Sequence, residues 1–172
     1  MSGFPFSNVL SFADGYTSET STGTPYFFVT DMEMSQQDLN ENNQMSLSMT
    51  LAESEYCSLN GYDPQDPPCP RLILTGSIGK LSIVIVVMEA IVRMFLFFLW
   101  ISFFFIEKIP EEDPEVDMAR TSLFSRHPSM QYWPEGHGFY FAKMKIEHVI
   151  LLASFGGAMD VPLADYFNAS VE

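Results

Sequence analysis

Hydrophobic and polar residues alternate with a period of two in the amino-terminal half of the chain. Over residues 45–52, one side of the pattern is apolar and the other carries hydroxyl groups. The apolar positions are Met45, Leu47, Met49 and Leu51. This alternation predicts a half-buried strand. Other β-prone runs, at 5–13, 25–30, 71–80 and 138–155, predict further strands.

The last of these runs is the longest, and an apolar helix face precedes it in the chain. Within 138–155, the positions expected to be buried are Phe139, Phe141, Met144, Ile146 and Val149. Asp113 followed by Pro114 is a favourable N-cap and first-turn pair, so a helix is predicted to begin there. Its apolar face is predicted to carry Val116, Ala119 and Leu123. Pro128 should lie at or just beyond the helix end.

Polar and proline-rich segments separate these elements. Residues 14–24 are rich in Gly, Ser and Thr and predict a loop. Residues 32–44 contain few β-branched side chains and predict a short polar helix or connector. Residues 58–70 contain four prolines, which predicts irregular structure. Two consecutive glycines at 156–157 predict a turn.

Residues 81–106 are apolar apart from Glu89 and Arg93. A helix of this length would extend about 39 Å, more than the roughly 30 Å hydrocarbon core of a bilayer. One interpretation is therefore a transmembrane helix over about 81–106. A second interpretation concerns the gene, because Phe codons are pyrimidine-rich and pyrimidine tracts precede splice acceptor sites. The run FLFFLWISFFF is also consistent with a translated intron.

The length and charge of the chain limit the function classes. The 172 residues suffice for one domain, and 47% hydrophobic residues exclude a wholly disordered chain. Acidic residues outnumber basic ones 22 to 8, which gives a net charge of −14. Because phosphate neutralisation needs clustered Lys and Arg, nucleic acid is not an expected partner. The same balance argues against a basic patch for anionic lipid.

No residue pattern predicts a catalytic, cofactor-binding or metal site. His127, His137 and His148 lack the spacing of known metal-ligand motifs. The first two are interpreted as a helix-end residue and a turn residue. The glycines do not form a phosphate-binding loop or a nucleophile elbow. The acidic run 111–113 is interpreted as a solvated surface.

Two cysteines and one sequon bear on the cellular compartment. Cys57 and Cys69 flank the proline-rich segment. A bridge between them would contribute on the order of 3 kcal/mol, and two reduced cysteines are an equal alternative from the sequence alone. Asn168 begins the glycosylation sequon Asn-Ala-Ser, which favours the secretory pathway.

The stretch DMARTSLFSRHPSMQYWPEGHGFYFAKMKI at 117–146 resembles the signature of the CREG family, the cellular repressors of adenovirus-oncoprotein-stimulated genes. Its RHP-x-M-x-x-WP-x-x-H pattern is specific. Shorter stretches match in the same order: PFSNVLSFADG, GTPYFF, LSMTLA, the loop from Cys57 through GYDPQDPPC, FGG and the terminal YFNAS. The resemblance covers essentially the whole chain except 81–110.

The resemblance implies an α+β fold of the FMN-binding split β-barrel type, similar to pyridoxamine phosphate oxidases. It implies a homodimer, a disulfide between Cys57 and Cys69 and a glycan at Asn168. The ancestral flavin pocket of the family looks obstructed, so no cofactor is expected and FMN enters by fold analogy only. Family members are secreted or lysosomal glycoproteins linked to growth control, differentiation and lysosomal function, with mannose-6-phosphate receptor binding through glycans.

The chain departs from the family pattern in three places. An N-terminal strand is expected to be missing before Gly3, which would leave the barrel incomplete at one edge. A sequon common in relatives is lost at 145–147. Residues 81–110 have no counterpart and interrupt the single domain predicted for 1–172. A membrane span there would separate 1–80 from 111–172, and the two parts of one barrel could not pair. The resemblance therefore favours a retained intron or gene-model error over a span.

Three functional hypotheses follow. The first is a non-enzymatic CREG-like glycoprotein of the secretory pathway, extracellular space or lysosome that acts by binding partners. The second is a flavin-dependent oxidoreductase, which rests on fold analogy alone. The third is a single-span membrane protein, in which 81–106 would contact the bilayer.

Overall fold

The computed structural model describes residues 6–16, 21–81 and 114–169. The described strands are β1 Phe12–Ala13, β2 Tyr26–Val29, β3 Gln44–Thr50, β4 Arg71–Lys80, β5 Tyr140–Leu152 and β6 Met159–Val161. The α-helices in these ranges are α1 Met34–Glu41, α2 Tyr56–Leu59, α3 Pro114–Arg126 and α4 Leu163–Phe167. Short 3-10 helices occupy Leu51–Glu53, Pro128–Tyr132 and Glu135–His137. The presence of both helices and strands confirms the predicted α+β class.

The described strands form one antiparallel, curled sheet with β5 at its centre. The order is β1-β2-β5-β4-β3, and β6 also pairs with β5. One edge of β5 pairs with β4, from Arg71↔Leu152 to Lys80↔Ala142. The other edge pairs with β2 near Tyr140–Lys143 and with β6 near Val149–Leu151. A single long strand therefore holds both sides of the half-barrel together.

A β-bulge in β5 keeps its apolar residues on the inner face of the sheet. Gly76 pairs with Ile146, whereas Thr75 pairs with His148, so Glu147 is the additional residue. The bulge explains why the buried positions step by three residues between Ile146 and Val149 instead of two. Gly76 is required at this point because a Cβ atom would overlap the backbone carbonyl oxygen of Lys145. The strand can therefore approach the bulge only without a side chain.

The inner face of the sheet holds one of two buried apolar clusters. Its buried members are Phe27, Val29, Leu74, Ile78, Ala142, Met144, Ile146 and Val149. Half-buried side chains of β3, among them Met45, Leu47 and Met49, pack against this cluster. The predicted alternation in β3 is confirmed, although Leu51 leaves the strand for a 3-10 turn and is exposed. We call this set the inner cluster.

The second cluster lies between the sheet and helix α3. The predicted helix face is confirmed, since Val116, Ala119 and Leu123 are all buried. They pack with Ala13, Tyr26, Leu81, Met130 and Phe141. Tyr26 and Phe27 are adjacent in β2 but belong to different clusters, as strand alternation requires. We call this set the helix-facing cluster.

Two local predictions differ from the structure. Within residues 6–13, the described part of the strand expected over 5–13, only Phe12–Ala13 is a strand. Before it, the side chain of Asn8 occupies the Val9 amide, a local hydrogen bond that competes with strand pairing. Its Oδ1 accepts from the Val9 amide at 2.8 Å, and its Nδ2 donates to Glu33. The proline-rich segment contains the short helix α2 at its start, whereas the remainder lacks strands as expected.

The apolar segment predicted as an inserted helix lies outside the described residues, apart from Leu81. Among 6–16, 21–81 and 114–169, none of the helices combines the length and apolar character needed to cross a bilayer.

Candidate functional site

The two cysteines join the ends of the proline-rich segment. Cys57 on α2 and Cys69 are both buried and form a disulfide, with their Cα atoms 5.4 Å apart. The predicted bridge is therefore present. Arg71 supports the enclosed loop from outside by donating hydrogen bonds to the carbonyl oxygens of Pro64 and Gln65, at 3.3 and 3.0 Å. This loop is held covalently as well as by hydrogen bonds.

The sequon residue Asn168 directly follows helix α4 and is exposed. Its backbone amide donates to the Ala164 carbonyl at 3.1 Å, which leaves the side chain on the surface. Tyr166 anchors the helix, because its hydroxyl donates to the Gly23 carbonyl at 2.7 Å. Burial, with a contribution from Asp14, raises the pKa of Tyr166, so this donor stays protonated across the physiological range. Asn168 is therefore accessible in the folded chain.

A cleft of about 530 Å³ opens beside the end of β2. The amino-terminal segment supplies three of its lining residues, Val9, Leu10 and Ser11. Phe28, Thr30, Met32 and Glu33 line the cleft from β2 and the following turn. Met130, Trp133 and Phe139 line it from the segment between α3 and β5. The volume lies within the range of small-molecule sites.

Three aromatic rings form one wall of this cleft. The Phe28 ring centroid lies 5.0 Å from that of Phe139 and 5.9 Å from that of Trp133, and both pairs are stacked. The Trp133 and Phe139 rings are 4.9 Å apart. Trp133 is 37% exposed, so part of this wall faces solvent. Stacked rings of this kind offer a broad face to apolar or cationic groups.

The polar groups of the cleft are few and already oriented. The Asn8 amide donates to Oε1 of Glu33 at 2.6 Å. The Thr30 hydroxyl donates to the His137 carbonyl and accepts from the Met32 amide. Glu33 is the charged residue among those that line the cleft. The cleft therefore combines an apolar surface with one carboxylate.

A polar cluster holds the turn after β2. Asp31 accepts from the Tyr140 hydroxyl at 2.7 Å and from the Asn40 amide at 3.0 Å, and Lys80 lies 3.4 Å away. The Asn40 bond, then the Tyr140 bond, holds the pKa of Asp31 below its usual value. Burial and the Asp31 carboxylate raise the pKa of Tyr140 well above its usual range. The cluster fixes the base of the segment that carries Met32 and Glu33.

A second polar group joins the sheet to helix α3. The Lys143 ammonium donates to both carboxylate oxygens of Glu115 at 2.7 Å. The Tyr26 hydroxyl donates to the same carboxylate at 3.3 Å. Burial and the nearby Glu115 charge raise the pKa of Tyr26. These contacts orient the helix and are structural in character.

The residues that line the cleft do not fit the phosphate of a flavin mononucleotide. A phosphate needs Arg, Lys or backbone amide donors, and the charged residue here is an acid. The cations of the described ranges are Arg71, Lys80, Arg120, Arg126, Lys143 and Lys145. Five of them bond to loop carbonyls or to acidic side chains elsewhere.

The three histidines lie in different elements of the fold. Nε2 of His127 donates to the Phe12 carbonyl at 3.0 Å, which fits its interpretation as a helix-end residue. His137 ends a 3-10 turn, and His148 lies exposed beside the β5 bulge. No group of three or more His, Cys, Asp or Glu side chains in the described parts of the chain could hold a metal ion.

The cleft is the feature that sequence reasoning missed. The signature segment 117–146 supplies Met130, Trp133 and Phe139, and this aromatic-rich run was a usable signal. Val9 and Glu33 are remote in sequence and join them only through the fold.

Solved structures of other proteins have a fold similar to that of this chain. A heme binding protein from Mycobacterium smegmatis superposes with a TM-score of 0.62 at 14% identity, over 98% of this chain and 51% of that one. A protein of unknown function from Agrobacterium tumefaciens superposes with a TM-score of 0.56 at 15% identity, over 89% and 47% of the two chains. At such identities the likeness concerns the fold alone. The predicted split β-barrel class is confirmed.

Comparisons with known sequences identify the CREG family, which the sequence signature at 117–146 also resembles. Protein CREG1 of Mus musculus is 33% identical over 170 residues, which cover 99% of this chain and 63% of the relative. Protein CREG2 of Homo sapiens is 35% identical over 167 residues, or 97% and 47% of the two lengths. The chain thus spans about 63% of mouse and human CREG1. A sequence model of the CREG β-barrel matches residues 1–96 and 105–168, and the chain belongs to this family.

Proposed function

We propose that this chain is a non-enzymatic glycoprotein of the secretory pathway that acts by binding partners outside the cytosol or in the lysosome. The observation that carries the proposal is a buried disulfide together with an exposed Asn168, the first residue of a sequon. Disulfides persist in oxidising compartments, and N-linked glycans are added there. Membership of the CREG family supports the same compartment.

The partner class rests on the resemblance and on the charge of the chain. The family resemblance points to a homodimer and to mannose-6-phosphate receptors that recognise the glycan at Asn168. The net charge of −14 disfavours nucleic acid and anionic membrane surfaces. Growth control, differentiation and lysosomal function are the proposed outputs. The described lining of the cleft contains one carboxylate and no Lys or Arg, a combination that does not favour the phosphate of a flavin.

Expression of the full-length protein in animal cells tests the proposal. We expect secreted or lysosomal material whose electrophoretic mobility increases after peptide-N-glycosidase treatment. Asn168→Gln should abolish that shift, because the printed sequence contains no other Asn-x-Ser/Thr site. Asn43→Gln is the matched control, since Asn43 is also exposed and lies outside any sequon. An unglycosylated protein confined to the cytosol would overturn the proposal.

The transcript decides between the interpretations of residues 81–110. Messages that join the codons of Lys80 and Glu111 directly would make the apolar run intronic and the protein a typical family member. Translated messages that retain the run would support the single-span hypothesis, and resistance of the protein to alkaline carbonate extraction would then be expected.

A further inference from the structure

The cleft has the size and lining of a small-molecule site. Its volume of about 530 Å³ lies in the range of roughly 300–1,000 Å³ that is typical for such sites. Val9, Leu10, Met32 and Met130 add apolar side chains to the lining. Three separate parts of the chain build it, and the Asp31–Tyr140 hydrogen bond of 2.7 Å fixes the turn between two of them. The cleft is therefore a property of the folded domain, not of one mobile loop.

The charge of the cleft determines which sign of ligand charge is favoured. Glu33 supplies a full negative charge, and the Asn8 amide orients its Oε1. Glu33 also precedes helix α1, whose N-terminus contributes about half a positive charge at most. The lining residues that belong to the described ranges include no Lys or Arg, so the charge that they present is negative. A carboxylate or phosphate would be repelled here, whereas an ammonium group could pair with Glu33.

The aromatic wall favours the same ligand class. A cation positioned over a Trp or Phe face is attracted by the ring quadrupole, and Trp binds best. Trp133 is partly exposed and stacked on Phe28, so its ring is both accessible and held in place. The strong negative charge of the chain would also concentrate cations around the protein.

We propose that this cleft binds small organic ammonium ions with an aromatic or aliphatic body. The apolar body would lie against Phe28, Phe139 and Trp133, and the ammonium group would pair with Glu33. Asn168 is not among the residues that line the cleft, and the proposal does not depend on a glycan. Failure of the ligand assay would therefore leave the glycosylation test untouched.

Calorimetric titration of the purified full-length protein provides the test. The probe is 2-(1-naphthyl)ethylamine, compared with 2-(1-naphthyl)ethanol and 3-(1-naphthyl)propanoate, which share its aromatic body. We expect the amine to bind at least about tenfold more tightly than the alcohol, the factor typical of a charge-assisted hydrogen bond. The carboxylate should bind more weakly than either.

Variants assign the effect to the cleft. Glu33→Gln should remove the preference for the amine over the alcohol, because it deletes the charge and preserves the shape. Glu135→Gln is the matched control, since Glu135 is exposed nearby but does not line the cleft. Trp133→Ala should weaken the binding of both the amine and the alcohol. Thermal unfolding of each variant verifies that it is folded.

Several outcomes would overturn the proposal. They are no binding of any probe, equal binding of the amine and the carboxylate, or an amine preference that survives Glu33→Gln. Amine affinity that falls as protein self-association rises, followed by sedimentation, would instead assign the cleft to a contact between two copies of the chain.

Discussion

Phe27 and Phe28 are neighbours in one strand, yet they serve two different regions of the molecule. Phe27 is fully buried in the inner cluster, where side chains of β4 and β5 enclose it. Phe28 points to the other face, where it stacks on Trp133 and Phe139 beside the open cleft. The buried members of the inner cluster are at most 7% exposed, whereas the cleft has one packed wall and one side that faces solvent.

The difference separates stability from recognition. Burial of apolar surface yields about 25 cal/mol per Å², so closed clusters supply most of the folding free energy. A partly exposed ring such as Trp133 contributes less to folding and keeps surface for a ligand. The first two predictions concern the inner cluster and the strands that carry it, the third concerns the disulfide, and the last two concern the cleft and the turn beside it.

Gly76→Ala should produce the largest loss of stability. The new Cβ would overlap the Lys145 carbonyl, so the β4–β5 ladder must open at the bulge. We expect the free energy of unfolding in urea to fall by about 5 kcal/mol or more, or folding to fail. Gly79→Ala in the same strand is the control, because nothing lies within 4 Å of its added Cβ. Equal stability of the two variants would contradict the role of the bulge.

Phe27→Ala should lower the free energy of unfolding slightly less than Gly76→Ala does. Removal of a fully buried ring leaves a cavity in the inner cluster, and such substitutions destabilise proteins by about 3 to 5 kcal/mol. Urea denaturation measures the loss. Phe27→Leu, which retains most of the volume, should recover more than half of it. A loss below about 1 kcal/mol for Phe27→Ala would show that this cluster is not the closed core.

Simultaneous replacement of Cys57 and Cys69 by Ser should lower the free energy of unfolding by about 3 kcal/mol. The bridge closes a loop with a sequence separation of 12 residues, and its removal restores entropy to the unfolded chain. Thermal denaturation of the oxidised wild type, the reduced wild type and the double variant provides the comparison. The latter two should agree, and a double variant as stable as the oxidised protein would exclude the predicted contribution.

Trp133→Ala should lower the free energy of unfolding by about 2 kcal/mol, less than Phe27→Ala, because 37% of the residue is already exposed. The same substitution should strongly weaken binding of aromatic amines in the cleft. Chemical denaturation and titration of one protein preparation measure both quantities. A stability loss as large as that of Phe27→Ala would erase the distinction between the two regions.

Asp31→Asn should have the smallest effect and a defined pH dependence. Hydrogen bonds from Asn40 and Tyr140 lower the folded-state pKa of Asp31, so its contribution is present above the unfolded-state pKa of about 4. That contribution is lost as the pH falls through the folded-state value. Because Asp31 is half exposed, the difference at pH 7 should be below about 1 kcal/mol.

Urea denaturation of wild type and Asp31→Asn between pH 7 and pH 2 measures this dependence. The gap between the two proteins should close toward the acidic end. Tyr140→Phe should remove part of the same contribution, because it deletes the hydroxyl that donates to Asp31. A gap that is constant over the whole range would contradict the assignment.

Much of the secondary structure was predictable from local patterns. The face of α3 that carries Val116, Ala119 and Leu123 is buried as its spacing predicts. Strands β3 and β4 begin within one residue of the predicted positions. The strand predicted over 5–13 was wrong in extent, because Asn8 competes for backbone and side-chain partners that a local pattern cannot include.

The amino-acid sequence by itself determined the periodic faces, the family signature, the positions of the two cysteines and the sequon at Asn168. These features depend on residues that are close in the chain or on a specific motif. Only the tertiary structure decided the bulge at Glu147, the requirement for Gly76 and the cleft between Val9, Glu33 and Trp133. Each of these depends on the register of paired strands, which brings together groups separated by tens of residues, and local periodicity carries no information about that distance.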